Sequence, residues 1–184
     1  MQFRRSAPRR TAERAHPCGT MEQCEGETQT AIIFRPYDIS RDRDFLYAAH
    51  RETSEITFGA PFDDEKICRE LSTDYAVRDG LFLDGKMVGI CDLSRRNSPE
   101  LGTYGYVNFF YVAPAYRGAG FGGRLVCHAA DWCRGNGLCR LLLHTGRGNT
   151  AARRCYVKNG FVRFPAFDKA PEWGYALEIG GEER

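Results

Sequence analysis

Apolar positions along the chain change their period several times, and each change marks a predicted element. Residues 1–30 show no apolar period; they are polar, with Pro and Gly, and predict a disordered basic leader. From Ala31 the pattern tightens, and Ala31–Tyr37 predicts a strand. Ser40 offers an N-cap, after which Phe45, Leu46, Ala49 and Ile56 recur at helical spacing. Gly59 and Pro61 break this run into a loop. Asp63 and Asp64 stand where a second helix should begin, because carboxylates favour the positive end of a helix dipole. Ile67, Leu71 and Tyr75 then follow every four residues. Gly80–Leu83 and Lys86–Leu93, joined by Asp84-Gly85, predict a hairpin with a tight turn. Ser94–Thr103 is polar and reads as a loop.

The second half is more sharply patterned. Tyr104–Val112 predicts a strand that Pro114 ends. A glycine-rich turn leads into a helix through Arg134, where Phe121, Leu125, Ala129 and Cys133 recur every four residues. Gly135 and Gly137 stop it. Arg140–Thr145 is a short strand whose consecutive leucines, Leu141, Leu142 and Leu143, predict burial on both faces. Asn149–Asn159 predicts a helix ahead of Gly160, and Phe161–Phe164 and Trp173–Ile179 predict two last strands. The order β-α-α-β-β-β-α-β-α-β-β is that of a mixed α/β layer fold over residues 31–180, with 181–184 as a tail.

Composition and charge narrow the function classes. The 184 residues suit one domain. The net charge of +2 conceals an asymmetry: Arg4, Arg5, Arg9, Arg10 and Arg14 face only Glu13 in the first 20 residues, and the remainder holds 21 basic and 23 acidic residues. The globular part is therefore not a general polyanion binder, and no nucleic acid partner is expected. The leader itself fits a nucleic-acid-binding arm, an organelle transit peptide, or a merely disordered segment ahead of a start at Met21. No stretch approaches the roughly 20 apolar residues of a membrane span, and no apolar run follows the arginine pairs as a secretion signal requires. A cytoplasmic protein is expected. The eight cysteines form no CxxC pair and no Cys/His zinc spacing, so no metal is expected and most should be small, reduced core residues.

The chemistry-bearing run is Arg117–Gly123. Glycines at a helix start let backbone approach a bulky anion, whose oxygens meet free N–H groups and the helix dipole. Gly118, Gly120 and Gly123 literally match G-x-G-x-x-G. A dinucleotide site, however, wants its glycines at the strand end and an acid about 20 residues later. Here Ala113–Tyr116 intervene, and the next strand ends in Leu143-His144-Thr145 without an acid. No Gly-Lys-Ser/Thr follows, which excludes a P-loop.

Arg117, Gly120 and Gly122, placed after an apolar strand ending in Val112, resemble motif A of the GNAT superfamily of N-acetyltransferases. Asn149, the paired Ala151 and Ala152, Tyr156, and Gly160-Phe161 resemble its motif B. The resemblance spans Ala31 to Ile179 and is motif-grade over residues 104–161. It implies a mostly antiparallel central sheet flanked by helices, and acyl-CoA, usually acetyl-CoA, as donor. It implies that backbone groups near Phe110, Tyr111 and Val112 hold the pantetheine arm and polarise the thioester carbonyl. The amides of Arg117, Gly118, Ala119, Gly120, Phe121, Gly122 and Gly123 would hold the pyrophosphate, and Asn149 would touch the pantetheine arm. Tyr156, which taken alone reads first as a core tyrosine at helical spacing with Ala152 and Cys155, matches the family's general acid within motif B. For the base, some members carry Glu where Tyr106 stands here, and others carry Glu near the position of His144. A histidine at that position, with an ordinary pKa of about 6.5, could take a proton directly or through water.

The acceptor would lie between Thr57–Phe62 and Pro165–Glu172. These segments bring Phe58, Phe62 and Phe167 beside Asp63, Asp64, Asp168 and Glu172, a rim that suits a cationic amine. The same acids could equally cap helices or face water. A small amine, an aminoglycoside, a peptide N-terminus and a lysine side chain all stay open, as does a homodimer. Two competing functions stay open as well: a non-catalytic acyl-CoA-binding module, and an NAD(P)-binding oxidoreductase.

Overall fold

Residues 31–180 are described by a computed structural model; the leader over 1–30 and the tail over 181–184 lie outside the described residues. The elements follow in the predicted order. They are β1 (Ile32–Pro36), α1 (Arg43–Phe58), α2 (Asp64–Ser72), β2 (Val77–Leu83), β3 (Lys86–Ser98), β4 (Gly102–Val112), α3 (Phe121–Gly135), β5 (Arg140–Gly146), α4 (Thr150–Lys158), β6 (Val162–Arg163) and β7 (Glu172–Glu178). Single 3-10 turns cover Pro114–Tyr116 and Pro165–Phe167. One sheet carries all seven strands in the order β1-β2-β3-β4-β5-β7-β6. Every neighbouring pair is antiparallel except β4 with β5.

The apolar periods account for the layering. Leu125, Ala129 and Cys133 of α3 pack with Val107, Leu141 and Leu143 on one side of the sheet. Leu46 and Ala49 of α1 and Ile67 and Leu71 of α2 pack with Phe82, Ile90 and Tyr111 on the other. Leu141, Leu142 and Leu143 are all buried because β5 is covered on both faces. No described helix is long and apolar enough to cross a membrane.

Some boundaries depart from the sequence reading for identifiable reasons. Ser40 is not the cap of α1. Asp38 Oδ1 accepts the Ser40 and Arg41 amides, each at 2.9 Å, and this turn delays the helix to Arg43. Asp63 does cap α2, accepting the Lys66 amide at 2.8 Å. Tyr75 lies beyond α2, where its phenol donates to Glu70 at 3.3 Å. The polar run Ser94–Ser98 is not a loop; it pairs with Gly102–Tyr106 and lengthens the β3–β4 hairpin. Backbone pairing needs no apolar side chain where both faces are wet. Of the cysteines, Cys91 and Cys133 are core residues, whereas Cys68 and Cys139 are exposed.

Two features of β4 create an opening. It pairs with β5 only at Gly105↔Leu141, Tyr106↔Leu142 and Val107↔Leu143, after which the strands part. On its other edge Leu93 faces Val107 and Asp92 faces Phe109, so Asn108 is the extra residue of a β-bulge. A bulge bends its strand and sharpens its twist. This one falls where the pairing with β5 ends.

Candidate active site

A cavity of about 350 Å³ fills the opening. Its walls are Val107–Val112 of β4, Thr53, Ile56 and Thr57 of α1, His144 and Thr145 of β5, and Glu172 of β7. Asn149 and α4 contribute Ala151, Ala152, Cys155 and Tyr156, and the glycine turn contributes Arg117, Gly118 and Gly122. The small side chains of Ala151 and Ala152 leave this end roomy.

The free edge of β4 supplies unpaired backbone. Ala113 N–H donates to the Val88 carbonyl of β3 at 2.9 Å. Alternation along the strand turns the backbone groups of Tyr111 and Phe109 the same way, and those of Phe110 and Val112 toward the cleft. The Val112 carbonyl accepts from Arg117 Nε at 2.9 Å. The Phe110 N–H and carbonyl and the Val112 N–H remain directed at the cavity.

The turn's glycines divide into two kinds. Gly118 and Gly120 have φ of 81° and 85°, a region that penalises any side chain. Gly122 and Gly123 are packing glycines: a Cβ would lie 2.6 Å from Cys155 Sγ and 2.9 Å from Asn159 Oδ1. Gly120 is the N-cap of α3 and offers no side-chain cap, so the Phe121 and Gly122 amides stay available to an anion, whereas the expected Gly123 amide donates to the Gly120 carbonyl at 3.0 Å. Ala119, Gly120, Phe121 and Gly123 shape this turn without lining the cavity; Phe121 is itself buried in the core beneath it.

Arg117 is engaged by the protein. Besides Val112, its guanidinium pairs with Glu52 of α1 at 2.7 Å. The Tyr111 hydroxyl donates to the same carboxylate at 2.6 Å. Glu52, which the sequence reading did not single out, thus ties α1 to the glycine turn. Asn149 caps α4, its Oδ1 accepting the Ala152 amide at 3.1 Å, so its NH₂ group is the one left for a ligand.

Tyr156 packs between Phe161 and Tyr175, with ring centroids 5.6 Å and 6.3 Å away. Burial is the main cause that raises its phenol well above the ordinary value, so the proton stays on at neutral pH. His144 is held at both nitrogens. Burial pushes the Tyr106 phenol up to about 12, which keeps it protonated; it donates to His144 Nδ1 at 2.9 Å. Nε2–H then donates to the Phe167 carbonyl, and the imidazole stacks on the Phe167 ring at 4.4 Å. Gly174, opposite His144 on β7, permits this contact: a Cβ there would lie 2.8 Å from the Phe167 carbonyl carbon and oxygen.

The expected acceptor rim separates into individual fates. The Phe58 and Phe62 rings stack at 5.6 Å, and the Lys66 ammonium lies 3.6 Å from the Phe62 ring centre. That aromatic face already has its cation. Asp63 caps α2 and Asp64 pairs with Arg51. Asp168 pairs with Arg163 and accepts the Gly174 amide at 2.9 Å. Of the four acids only Glu172 lines the cavity.

Residues 37–161, more than half of the chain, match the family described as the Acetyltransferase (GNAT) family. No curated protein matches the chain. Solved structures share its fold. The PaiA N-acetyltransferase of Thermoplasma acidophilum, solved with coenzyme A, is 19% identical with a TM-score of 0.61, over 80% of this chain and 99% of that one. A GNAT-family acetyltransferase of Staphylococcus aureus is 18% identical with a TM-score of 0.63, over 82% and 100%. A domain from Methanocaldococcus jannaschii is 17% identical with a TM-score of 0.67, over 82% and 100%. Element order, parted strands and matched residues agree: the chain belongs to the acetyltransferase (GNAT) family, and its chemistry is acyl transfer from coenzyme A.

Proposed function

We propose that the chain is an N-acetyltransferase that moves an acetyl group from acetyl-CoA to a primary amine by direct attack on the thioester, with Tyr156 as general acid. One observation carries the reading: the unpaired edge of β4 and Tyr156 line the same cavity, which reaches the glycine turn. The Phe110 and Val112 backbone groups would hold the pantetheine arm. A cleft-facing N–H on that edge would stabilise negative charge on the carbonyl oxygen. The first amides of α3 would take the pyrophosphate, and the Asn149 NH₂ would reach the arm. Acetyl-CoA brings an activated carbonyl and a sulfur leaving group.

A lysine-like amine has a pKa of about 10.4 and arrives protonated, so it sheds one proton to become a nucleophile. As the N–C bond forms and the C–S bond breaks, sulfur leaves with the electron pair. Tyr156 delivers a proton to that sulfur, and the second proton lost from nitrogen restores the phenol. His144, with both ring nitrogens engaged, acts in this scheme by holding Tyr106 and the Phe167 loop in place; its route to a direct base role needs Tyr106 to release Nδ1.

The test is thiol release across a panel of primary amines, with acetyl-CoA affinity measured separately. Tyr156→Phe should lower kcat by about 100-fold or more, in the range for loss of a general acid, at unchanged acetyl-CoA Kd. An unchanged kcat rejects the role. Acetyl-CoA binding without turnover on any amine would favour a binding module, and thermal stabilisation by NAD(P) in place of CoA would overturn the reading.

A further inference from the structure

We infer that Glu172 receives the acceptor's ammonium group and makes the enzyme selective for cationic, strongly basic amines. The inference rests on the acyl-transfer reading of the cavity. It begins with elimination. Among the four acids at the rim, Asp63, Asp64 and Asp168 are committed to a helix cap, to Arg51, and to Arg163 with the Gly174 amide. Among the described residues no hydrogen bond or ion pair engages the Glu172 carboxylate, and it is the one carboxylate of the cavity wall.

Its placement is set by the strand register. Glu172 opens β7 opposite Gly146, two positions from the Gly174–His144 pair. Residues paired across an antiparallel ladder share a face, and alternate residues along a strand return to it. Glu172 and His144 therefore stand on the same face of the sheet, and both line the cavity. The segment before β7 is fixed from three sides. The Glu172 amide donates to the Lys169 carbonyl at 2.7 Å, Asp168 is clamped by Arg163, and Phe167 is seated on Gly174.

A half-buried carboxylate with no partner is costly, and a cation that fills the cavity would relieve the cost. Burial is the largest influence on this carboxyl and raises it above its ordinary value; nearby His144 and Lys169 act against that rise. An ammonium group arriving beside Glu172 would hold the carboxylate ionised and direct the nitrogen into the opening between β4 and β5. Because no hydrogen bond or ion pair among the described residues uses the Glu172 side chain, its removal should spare stability, which separates this role from a structural one.

The experiment measures steady-state kinetics with a primary alkylamine acceptor, acetyl-CoA Kd, and the thermal midpoint for the native protein, Glu172→Gln and Glu172→Asp. Glu172→Gln should raise the amine KM at least tenfold while acetyl-CoA Kd changes less than twofold and the midpoint does not fall. Glu172→Asp, which keeps the charge, should recover at least a third of the lost kcat/KM. An unchanged amine KM in Glu172→Gln, equal impairment in both variants, or a falling midpoint overturns the inference. Native protein that binds acetyl-CoA yet releases thiol with no amine overturns the transfer reading itself.

Discussion

Two buried groups support the bulged part of β4 and should respond to pH in opposite directions. Asp92, 1% exposed, lies opposite Phe109 beside the bulge. The Tyr37 hydroxyl lies 3.0 Å from both of its oxygens, and Arg78 donates to that hydroxyl at 3.0 Å. Burial outweighs the nearby Arg78 charge and the Tyr37 hydrogen bond, and raises Asp92 from 3.8 to about 7, with Asp79 adding to the rise. His50 stacks on Phe109 at 4.2 Å and is pushed from 6.5 down to about 4, first by burial and then by Arg78. The native state keeps the Asp92 proton up to about pH 7 while the unfolded chain loses it near 3.8, so this group's stability is lost as pH rises through that window. The unfolded chain keeps the His50 proton up to 6.5 while the native state loses it near 4, so this group's contribution grows with pH. Each slope reaches about 1.4 kcal/mol per pH unit, and in the native protein the two nearly cancel between pH 4 and 6.5. Asp92→Asn should leave the rise, and His50→Gln the fall. At about 2–4 °C per kcal/mol for a chain of this size, each variant's midpoint should move by about 3–6 °C per pH unit relative to the native protein, in opposite directions. Differential scanning fluorimetry across that window measures it. Two variants whose curves run parallel to the native protein's would refute the reasoning.

Two glycine substitutions probe the site from opposite ends. Gly174→Ala puts a methyl 2.8 Å from the Phe167 carbonyl, so the loop must move off His144. Overpacking of this kind costs about 1–3 kcal/mol, and kcat should fall at least tenfold with acetyl-CoA Kd retained; full activity would show that the Phe167 contact is dispensable. Gly118→Ala meets nothing within 4 Å but has φ of 81°, so its cost of about 1–2 kcal/mol is purely conformational. It should weaken acetyl-CoA binding by about tenfold in calorimetry, whereas Gly135→Ala, with open space at the end of α3, should leave Kd unchanged.

The fold was legible where side chains carry the period. Phe121, Leu125, Ala129 and Cys133 face the core as their spacing demands, and the three leucines of β5 are buried. The fold was illegible where backbone alone decides. Ser94–Ser98 pairs as strand without an apolar residue to announce it. The bulge at Asn108 is likewise a matter of register, yet it lies where β4 leaves β5. Asp38 and Ser40 compete for one turn, and only the three-dimensional path of the chain awards it to Asp38.

The site shows the same division more strongly. The glycine run announces itself because Gly118 and Gly120 occupy a backbone region closed to other residues, so the local sequence contains the reason for the local shape. The four rim acids contain no such reason. Asp168 is chemically as able as Glu172 to meet an amine, and the two stand four positions apart. Arg163 of β6 separates them: it captures Asp168, which in turn takes the Gly174 amide and draws Phe167 onto the glycine opposite His144. The loop that holds His144 is thereby anchored by one acid, and the acid that follows is left facing the cavity, with no hydrogen bond or ion pair to its side chain among the described residues. A carboxylate's role here depends on which arginine reaches it first, a relation between strands that no single stretch of sequence encodes.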